Sequence, residues 1–174
     1  MKKKLLMLIM AFLLLLNSCY QKKEKNGADI YADSVINMQS RTILQLDTFF
    51  QSLYFYDYDV NYFYQKAIQQ NEKNIKNLEA LGAFKNNSHL YTASFNIYNT
   101  IREILKEEGP QLLSLHQSVQ GDFNSDYQEQ MEKLLKQSVG FVTLRQLEFD
   151  SVLTTFLDEY GFDVEMDTNF IAPF

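Results

Sequence analysis

Residues 31–53 read YADSVINMQSRTILQLDTFFQSL, and this stretch decides the fold class. Apolar side chains recur in it at spacings of three, four and seven residues, which places them on one face of an α-helix. A face of this kind is buried against other helices, so the pattern predicts a first helix over residues 28–54. The stripe consists of Ile36, Ile43, Leu46, Phe50 and Leu53, with Gln39 as its polar exception.

The same periodicity predicts further helices downstream, a second over residues 60–81, a third that starts after Ser88 and a fourth over residues 126–160. Short turns between four amphipathic helices give antiparallel neighbours. The predicted fold is therefore all-α, an up-down-up-down four-helix bundle. The three downstream stripes are Tyr64, Ile68, Ile75 and Leu78; Leu90, Ala93, Ile97, Ile101 and Ile104; and Met131, Leu135, Val142, Phe149, Phe156 and Tyr160.

Turn residues mark the ends of these helices. Either Asp57 or Asp59 can cap the second helix, because a carboxylate there accepts free backbone N–H bonds, and Gly82 is suited to end it. Pro110 interrupts the third segment, so we expect a kink at Gly109-Pro110 or a break with a short helix over 112–119. The fourth helix carries a capping-box pair, Ser125 and Gln128, and a Schellman-type stop, Tyr160-Gly161-Phe162.

The N-terminus has the features of an export signal. Three lysines precede an unbroken apolar run of twelve residues, Leu5 to Leu16, which is shorter than the roughly 20 residues that span a bilayer. The string Leu16-Asn17-Ser18-Cys19 follows and resembles the lipobox of bacterial lipoproteins. The resemblance implies cleavage before Cys19 and a lipid on its sulfur. A plain secretory peptide and an N-terminal membrane anchor are the alternatives.

These features divide the chain into a lipoprotein signal peptide (1–18), a short flexible tether (19–27) and a helical domain with a C-terminal tail (28–174). The expected location is the cell envelope, in an outer membrane facing the periplasm, with surface exposure as the alternative. Loss of residues 1–18 removes three lysines and changes the net charge from −6 to −9. An acidic domain is repelled by nucleic acid, so no nucleic-acid partner is expected.

The sequence predicts no catalytic, cofactor or metal site. Di-iron bundles use Glu-x-x-His pairs, and neither His89 nor His116 belongs to one. Two stretches begin like a calcium loop, at Asp57 and at Asp122, but both lack the glycine at position six and the glutamate at position twelve. We therefore expect these acids to serve as caps and turn residues.

Aromatic crowding at the first turn is the most unusual local feature. Nine aromatic residues fall between Phe49 and Tyr64, and one face of a helix cannot bury them all. Either they plug the end of the bundle, or some form a contact surface for a protein or a glycan. The residues of this candidate partner surface are Tyr54, Tyr56, Tyr58 and Tyr62.

The layout resembles a family of uncharacterised small helical surface lipoproteins of spirochaetes and Bacteroidetes. The likeness rests on the lipobox and tether, on Tyr31…Ile36…Gln39…Ile43, and on residues 146–149 through 156–162. The family implies no activity. The expected function is a non-enzymatic binding or structural module whose oligomeric state stays open. The alternatives are an envelope inhibitor or immunity-type protein that neutralises a basic partner and, third, an enzyme without a recognisable motif.

Overall fold

The chain is all-helical in the residues that its structure, a computed structural model, describes. These are 2–55, 58–121 and 125–162 for the backbone, and 25–55, 58–119 and 126–162 for the side chains. This part of the chain contains no strand, and an isolated bridge joins Phe84 to Asn87. The predicted all-α class is thus confirmed. The helices are α1 (Lys2–Ser52), α2 (Val60–Leu81), α3 (His89–Gly121) and α4 (Ser125–Glu159).

Helix α1 starts much earlier than predicted, at Lys2 instead of near residue 28. No proline lies between residues 2 and 52, so nothing in the backbone forces a break there. Gly27 lies against the ring of Phe84, and Ala28 is fully buried. The end of the segment predicted as a tether is therefore helical and packed. Among the described residues, none of the helices has the length and hydropathy needed to cross a bilayer.

Helix α2 has the predicted bounds and the predicted caps. Asp59 is its N-cap, with Oδ1 accepting a hydrogen bond from the Tyr62 N–H at 3.0 Å. At the other end Gly82 has a φ of 67°, a conformation that glycine adopts without strain, and its N–H donates to the Leu78 carbonyl. Asp57 lies outside the described residues.

Helix α4 ends in the predicted Schellman motif. Gly161 has a φ of 74° and donates to the Asp158 carbonyl, while the Phe162 N–H donates to the Leu157 carbonyl at 3.1 Å. These bonds satisfy carbonyls that the helix end would otherwise leave unpaired. The Ser125 side chain and residues 163–174 lie outside the description, so the capping box and the tail stay predictions.

Helix α3 runs through Pro110 without interruption, and the predicted break with a short helix over 112–119 is wrong. Pro110 and Lys106 lie on the exposed face, so water can reach the Lys106 carbonyl that the proline leaves without a donor. Leu105 and Leu112 are buried on the opposite face and hold the two halves of the helix against the core.

The core lies between the four helices, with α3 on α4, α1 on α2 and α2 on α3 as the closest pairs and α1 on α4 more sparsely packed. At one end of the core, four aromatic rings close this sparse seam. Phe84 contacts Tyr31 at 5.3 Å, Phe156 at 5.8 Å and Tyr160 at 5.3 Å between ring centroids. Beside them the Lys25 ammonium donates to the Gly161 carbonyl.

Alanine substitutions at two glycines inside helices, Gly109 and Gly140, should change the free energy of unfolding in opposite directions. A Cβ on Gly109 would lie 2.5 Å from Cε2 of the buried Tyr64, whereas nothing lies within 4 Å of one on Gly140. We expect Gly109→Ala to lower the free energy of unfolding by about 1–3 kcal/mol through overpacking. Gly140→Ala should raise it by about 0.5–1 kcal/mol through helix propensity alone. Urea denaturation followed by circular dichroism measures both, and equal signs would contradict the packing at Gly109.

Candidate interaction surface

The aromatic residues at the α1–α2 connection divide into a buried and an exposed set. Phe49 is fully buried, and Phe50 and Tyr64 are nearly so. The buried set packs into the core, and the exposed set is the candidate contact surface. We call the exposed set the aromatic turn; it comprises Tyr54 (53% exposed), Phe55 (53%), Tyr58 (52%) and Tyr62 (52%). Tyr56, the remaining predicted surface residue, lies outside the description.

Ring contacts connect three members of the aromatic turn, Phe55, Tyr58 and Tyr62. Phe55 lies 5.2 Å from Tyr58, and the half-buried Phe63 joins Tyr58 at 5.8 Å to Tyr62 at 5.4 Å. The Lys66 ammonium lies 5.3 Å from the Tyr62 ring, within cation–π range. The turn thus offers adjacent aromatic faces, with the phenol groups of Tyr58 and Tyr62 able to donate and accept hydrogen bonds.

Buried contacts beneath the turn fix its position. Nδ1 of the buried His116, on α3, lies 2.9 Å from the Leu53 carbonyl at the end of α1. Phe49 contacts Tyr64 with ring centroids 5.3 Å apart, and the Tyr64 hydroxyl donates to the Leu105 carbonyl at 2.8 Å. The C-terminus of α1, the start of α2 and the middle of α3 are therefore tied together under the exposed rings.

An apolar groove opens beside the turn, between α1 and α4. Its volume is about 180 Å³. It opens where the α4 side chains are short, at Val139, Val142 and Thr143, whereas Phe156 fills the seam farther along by packing against Tyr31. We call it the α1–α4 groove; its lining residues are Ile43, Leu46, Asp47, Phe50, Gln51, Tyr54, Leu135, Val139, Val142, Thr143 and Gln146.

Two ionisable side chains in the wall of the α1–α4 groove have raised pKa values. Burial raises the pKa of Asp47, whose carboxylate accepts a hydrogen bond from the Gln51 amide at 2.7 Å. Burial also raises the pKa of Tyr54, and the nearby Glu132 carboxylate adds to the shift. The Tyr54 phenol is therefore neutral around pH 7 and available as a hydrogen-bond donor. The sequence pattern showed Tyr54 but not the groove, since the groove depends on two helices distant in sequence.

A polar layer crosses the core between α1, α2 and α3. The Asn74 amide donates to the Met38 carbonyl at 2.6 Å and to the Thr42 hydroxyl at 2.8 Å. The Asn71 amide donates to the Tyr98 carbonyl at 3.0 Å. Three buried atoms of this region have no hydrogen-bond partner in the described part of the chain, namely Gln39 Oε1, Asn71 Oδ1 and the Tyr98 hydroxyl. Burial raises the pKa of Tyr98, so its hydroxyl stays protonated.

The remaining residues that the sequence analysis considered for metal sites lie at helix starts. His89 is exposed at the start of α3, and Asp126 is exposed in the first turn of α4. Among the described residues, no group of three or more His, Cys, Asp and Glu side chains could hold a metal ion. Cys19 lies within α1, and its side chain is outside the description.

No protein-family model, curated protein or solved structure matches this chain. Its geometry is therefore the basis for interpreting its function. In the described residues that geometry is an exposed aromatic turn, whose neighbouring segments are held in place by buried contacts and which is flanked by an apolar groove.

Removing the hydroxyl group from two buried tyrosines, Tyr98 and Tyr64, should change the free energy of unfolding in different ways. Tyr98→Phe deletes a buried hydroxyl without a described partner and should leave the free energy of unfolding unchanged or raise it by up to about 1 kcal/mol. Tyr64→Phe deletes the donor to the Leu105 carbonyl and should lower it by about 0.5–1.5 kcal/mol. Denaturant titration of both variants measures the difference; a marked loss in Tyr98→Phe would mean that its hydroxyl is satisfied in solution.

Proposed function

We propose that the protein is a lipid-anchored cell-envelope lipoprotein that acts as a non-catalytic helical binding module. One observation carries the binding role: four large aromatic side chains at the α1–α2 connection are each slightly more than half exposed, and ring contacts link three of them, Phe55, Tyr58 and Tyr62. Contiguous exposed aromatic surface of this kind is typical of contact sites, because it is costly to leave in water.

The proposed anchor is a lipid on Cys19, exposed by removal of the signal peptide 1–18. Support comes from the lysine head, the twelve-residue apolar run and the lipobox-like Leu16-Asn17-Ser18-Cys19. The chain has a single cysteine, and it stands at the position where lipidation requires one. We place the protein in the outer membrane, facing the periplasm, with surface exposure as the alternative.

We further propose that the helices alternate in direction, up-down-up-down. Two sets of contacts support this topology. The α2–α3 connection, through Phe84, contacts Tyr31 of α1 and the last turn of α4. At the opposite end of the bundle, His116 of α3 contacts the Leu53 carbonyl at the end of α1. At that end Tyr54 also lies in the same groove as Leu135 of α4.

A second candidate function is that of an inhibitor or immunity-type protein for a basic partner. The observation that favours it is charge: the chain carries a net −6, and the Glu132 carboxylate of α4 lies near Tyr54. A protein surface with excess negative charge attracts a basic protein and speeds its association. The two functions share the same surface and differ in the salt dependence of partner binding.

The aromatic turn is tested by a double substitution. Tyr58→Ser with Tyr62→Ser removes two exposed rings, and a single hot-spot tyrosine in an interface contributes about 2 kcal/mol or more. We expect a protein that crosslinks to the wild type in its native envelope to bind the double variant at least about 30-fold more weakly. Titration of the captured partner measures this.

The matched control is Phe141→Ser, which removes an exposed aromatic ring of similar accessibility (47%) from α4. It should retain wild-type affinity. The helical circular dichroism of all variants should be unchanged, since none of these rings is in the core. Equal binding by the double variant and the wild type would rule out the aromatic turn as the contact surface.

The lipid anchor is tested separately. Cys19→Ser removes the only thiol that can be lipidated, so the protein should move from the membrane fraction to the soluble fraction. Fractionation followed by immunoblotting measures this, with Ser18→Ala as the control that keeps the thiol and should stay with the membrane. Retention of Cys19→Ser in the membrane would show that another segment holds the protein there.

A further inference from the structure

Helix α4 carries large apolar side chains on its outward face as well as on its core face. Val142 and Phe149 are buried in the core. On the outward side Phe141 is 47% exposed, Leu144 54% and Leu147 56%. Side chains three residues apart are neighbours on a helix surface, so these three form one stripe. The outward face of a surface helix is usually polar, and a contiguous apolar patch there marks a contact site.

A groove opens beside this stripe, between α3 and α4. We call it the α3–α4 groove; it lies between Thr100–Glu108 of α3 and Phe141–Arg145 of α4. Its volume is about 580 Å³, and Phe141, Leu144 and the buried Ile104 line its apolar part. Eight steps at about 1.5 Å per residue make the α3 wall about 12 Å long. The groove thus matches about two turns of a docked helix in length.

The α3 wall of this groove is acidic. It carries three carboxylates, those of Glu103, Glu107 and Glu108. The Lys106 ammonium lies 3.4 Å from the Glu107 carboxylate. The Arg145 guanidinium lies 2.7 Å from the carboxylate of Glu148. Both cations of the groove thus have a carboxylate partner, and Glu103 and Glu108 are left without an ion pair in the described part of the chain.

Charge selects the occupant of the α3–α4 groove. An apolar stripe bordered by excess negative charge complements a segment that has apolar side chains on one face and lysine or arginine beside them. A second copy of this chain is disfavoured, because a two-fold interface brings a patch against itself and would set the α3 carboxylates against their own copies. The same charge repels nucleic acid and anionic lipid surfaces.

We propose that the α3–α4 groove binds a basic amphipathic helix of a partner protein. Apolar side chains of that helix, spaced by three and four residues, pack on Phe141 and Leu144, and its cations pair with Glu103 and Glu108. The site shares no residue with the aromatic turn and does not depend on partner binding there. Phe141→Ser therefore leaves a partner of the aromatic turn bound and releases only a partner of this groove.

A synthetic peptide tests the groove on the full-length chain, purified in a nonionic detergent. The probe is a fluorescent helix of about four turns, with leucines at spacings of three and four residues and lysines elsewhere. Fluorescence anisotropy measures its binding, with empty micelles as the background. We expect Phe141→Ser with Leu144→Ser to weaken binding at least about tenfold, because these side chains form the apolar contact. Leu44→Ser removes a similarly exposed leucine (60%) from α1 and should bind like the wild type.

A second pair of variants tests the role of charge. Glu103→Gln with Glu108→Gln should weaken binding about fivefold or more at low salt and reduce its salt dependence, because exposed charges are screened by ions. The control, Glu79→Gln with Glu129→Gln, removes two exposed carboxylates outside the groove and should have much less effect. A peptide with glutamate in place of lysine should bind the wild type at least about tenfold more weakly than the lysine peptide.

Several outcomes would overturn the proposal. These are lysine-peptide binding no stronger than the micelle background, equal binding of the two peptides, and equal binding by the wild type and the variant with Phe141→Ser and Leu144→Ser. Tyr58→Ser with Tyr62→Ser should bind the lysine peptide like the wild type. A loss in that variant as large as in the groove variant would instead place the basic-helix site at the aromatic turn.

A cysteine test covers the second copy as the alternative occupant. In the whole chain with Cys19→Ser, Leu144→Cys should form disulfide-linked dimers no faster than Leu44→Cys, since both positions are similarly exposed. Dimers that form at least ten times faster at residue 144 would assign the groove to a second copy and overturn the proposal.

Discussion

Phe84 belongs to the connection between α2 and α3, yet its ring contacts side chains of α1 and α4. Helices α1 and α4 pack sparsely on each other elsewhere, so these rings and the bond from Lys25 to Gly161 determine how the seam closes. Each aromatic pair contributes about 0.5–1.5 kcal/mol beyond its burial. Where the aromatic residues of α4 give way to valines, the seam opens into the α1–α4 groove.

The polar layer restricts how the other helices pair. Apolar stripes alone tolerate sliding by a turn, because one leucine can replace another in the core. The hydrogen bonds from Asn71 and Asn74 to carbonyls of α3 and α1 exist in one register only, and a shift would leave buried amides unpaired. Gln39 is the polar exception in the stripe of α1. It is buried in this polar layer, next in sequence to Met38, whose carbonyl accepts the bond from Asn74. Asparagines that weaken α2 by helix propensity thus specify its alignment.

Local signals in the sequence predicted the features that depend on a few neighbouring residues. The bounds of α2, its cap at Asp59 and the Schellman motif at Gly161 follow from backbone chemistry within one helical turn. The continuity of α3 through Pro110 was not predictable in this way, because it depends on which face of the helix is buried. The role of Phe84 and the α1–α4 groove also depend on residues far apart in the chain. Of the candidate site, the sequence pattern identified the tyrosines but not their division into buried and exposed sets.

The uninterrupted course of α1 determines how far the aromatic turn would lie from the proposed lipid anchor. From Cys19 to Ser52 the helix is about 50 Å long, at 1.5 Å per residue. If Cys19 carries the proposed lipid and α1 stands upright on the bilayer, the aromatic turn lies about 50 Å from the membrane surface. A partner confined to the surface of the same bilayer would then be out of reach unless it projects by a similar height. Soluble proteins and structures on the far side of the aqueous layer would be within reach of the aromatic turn.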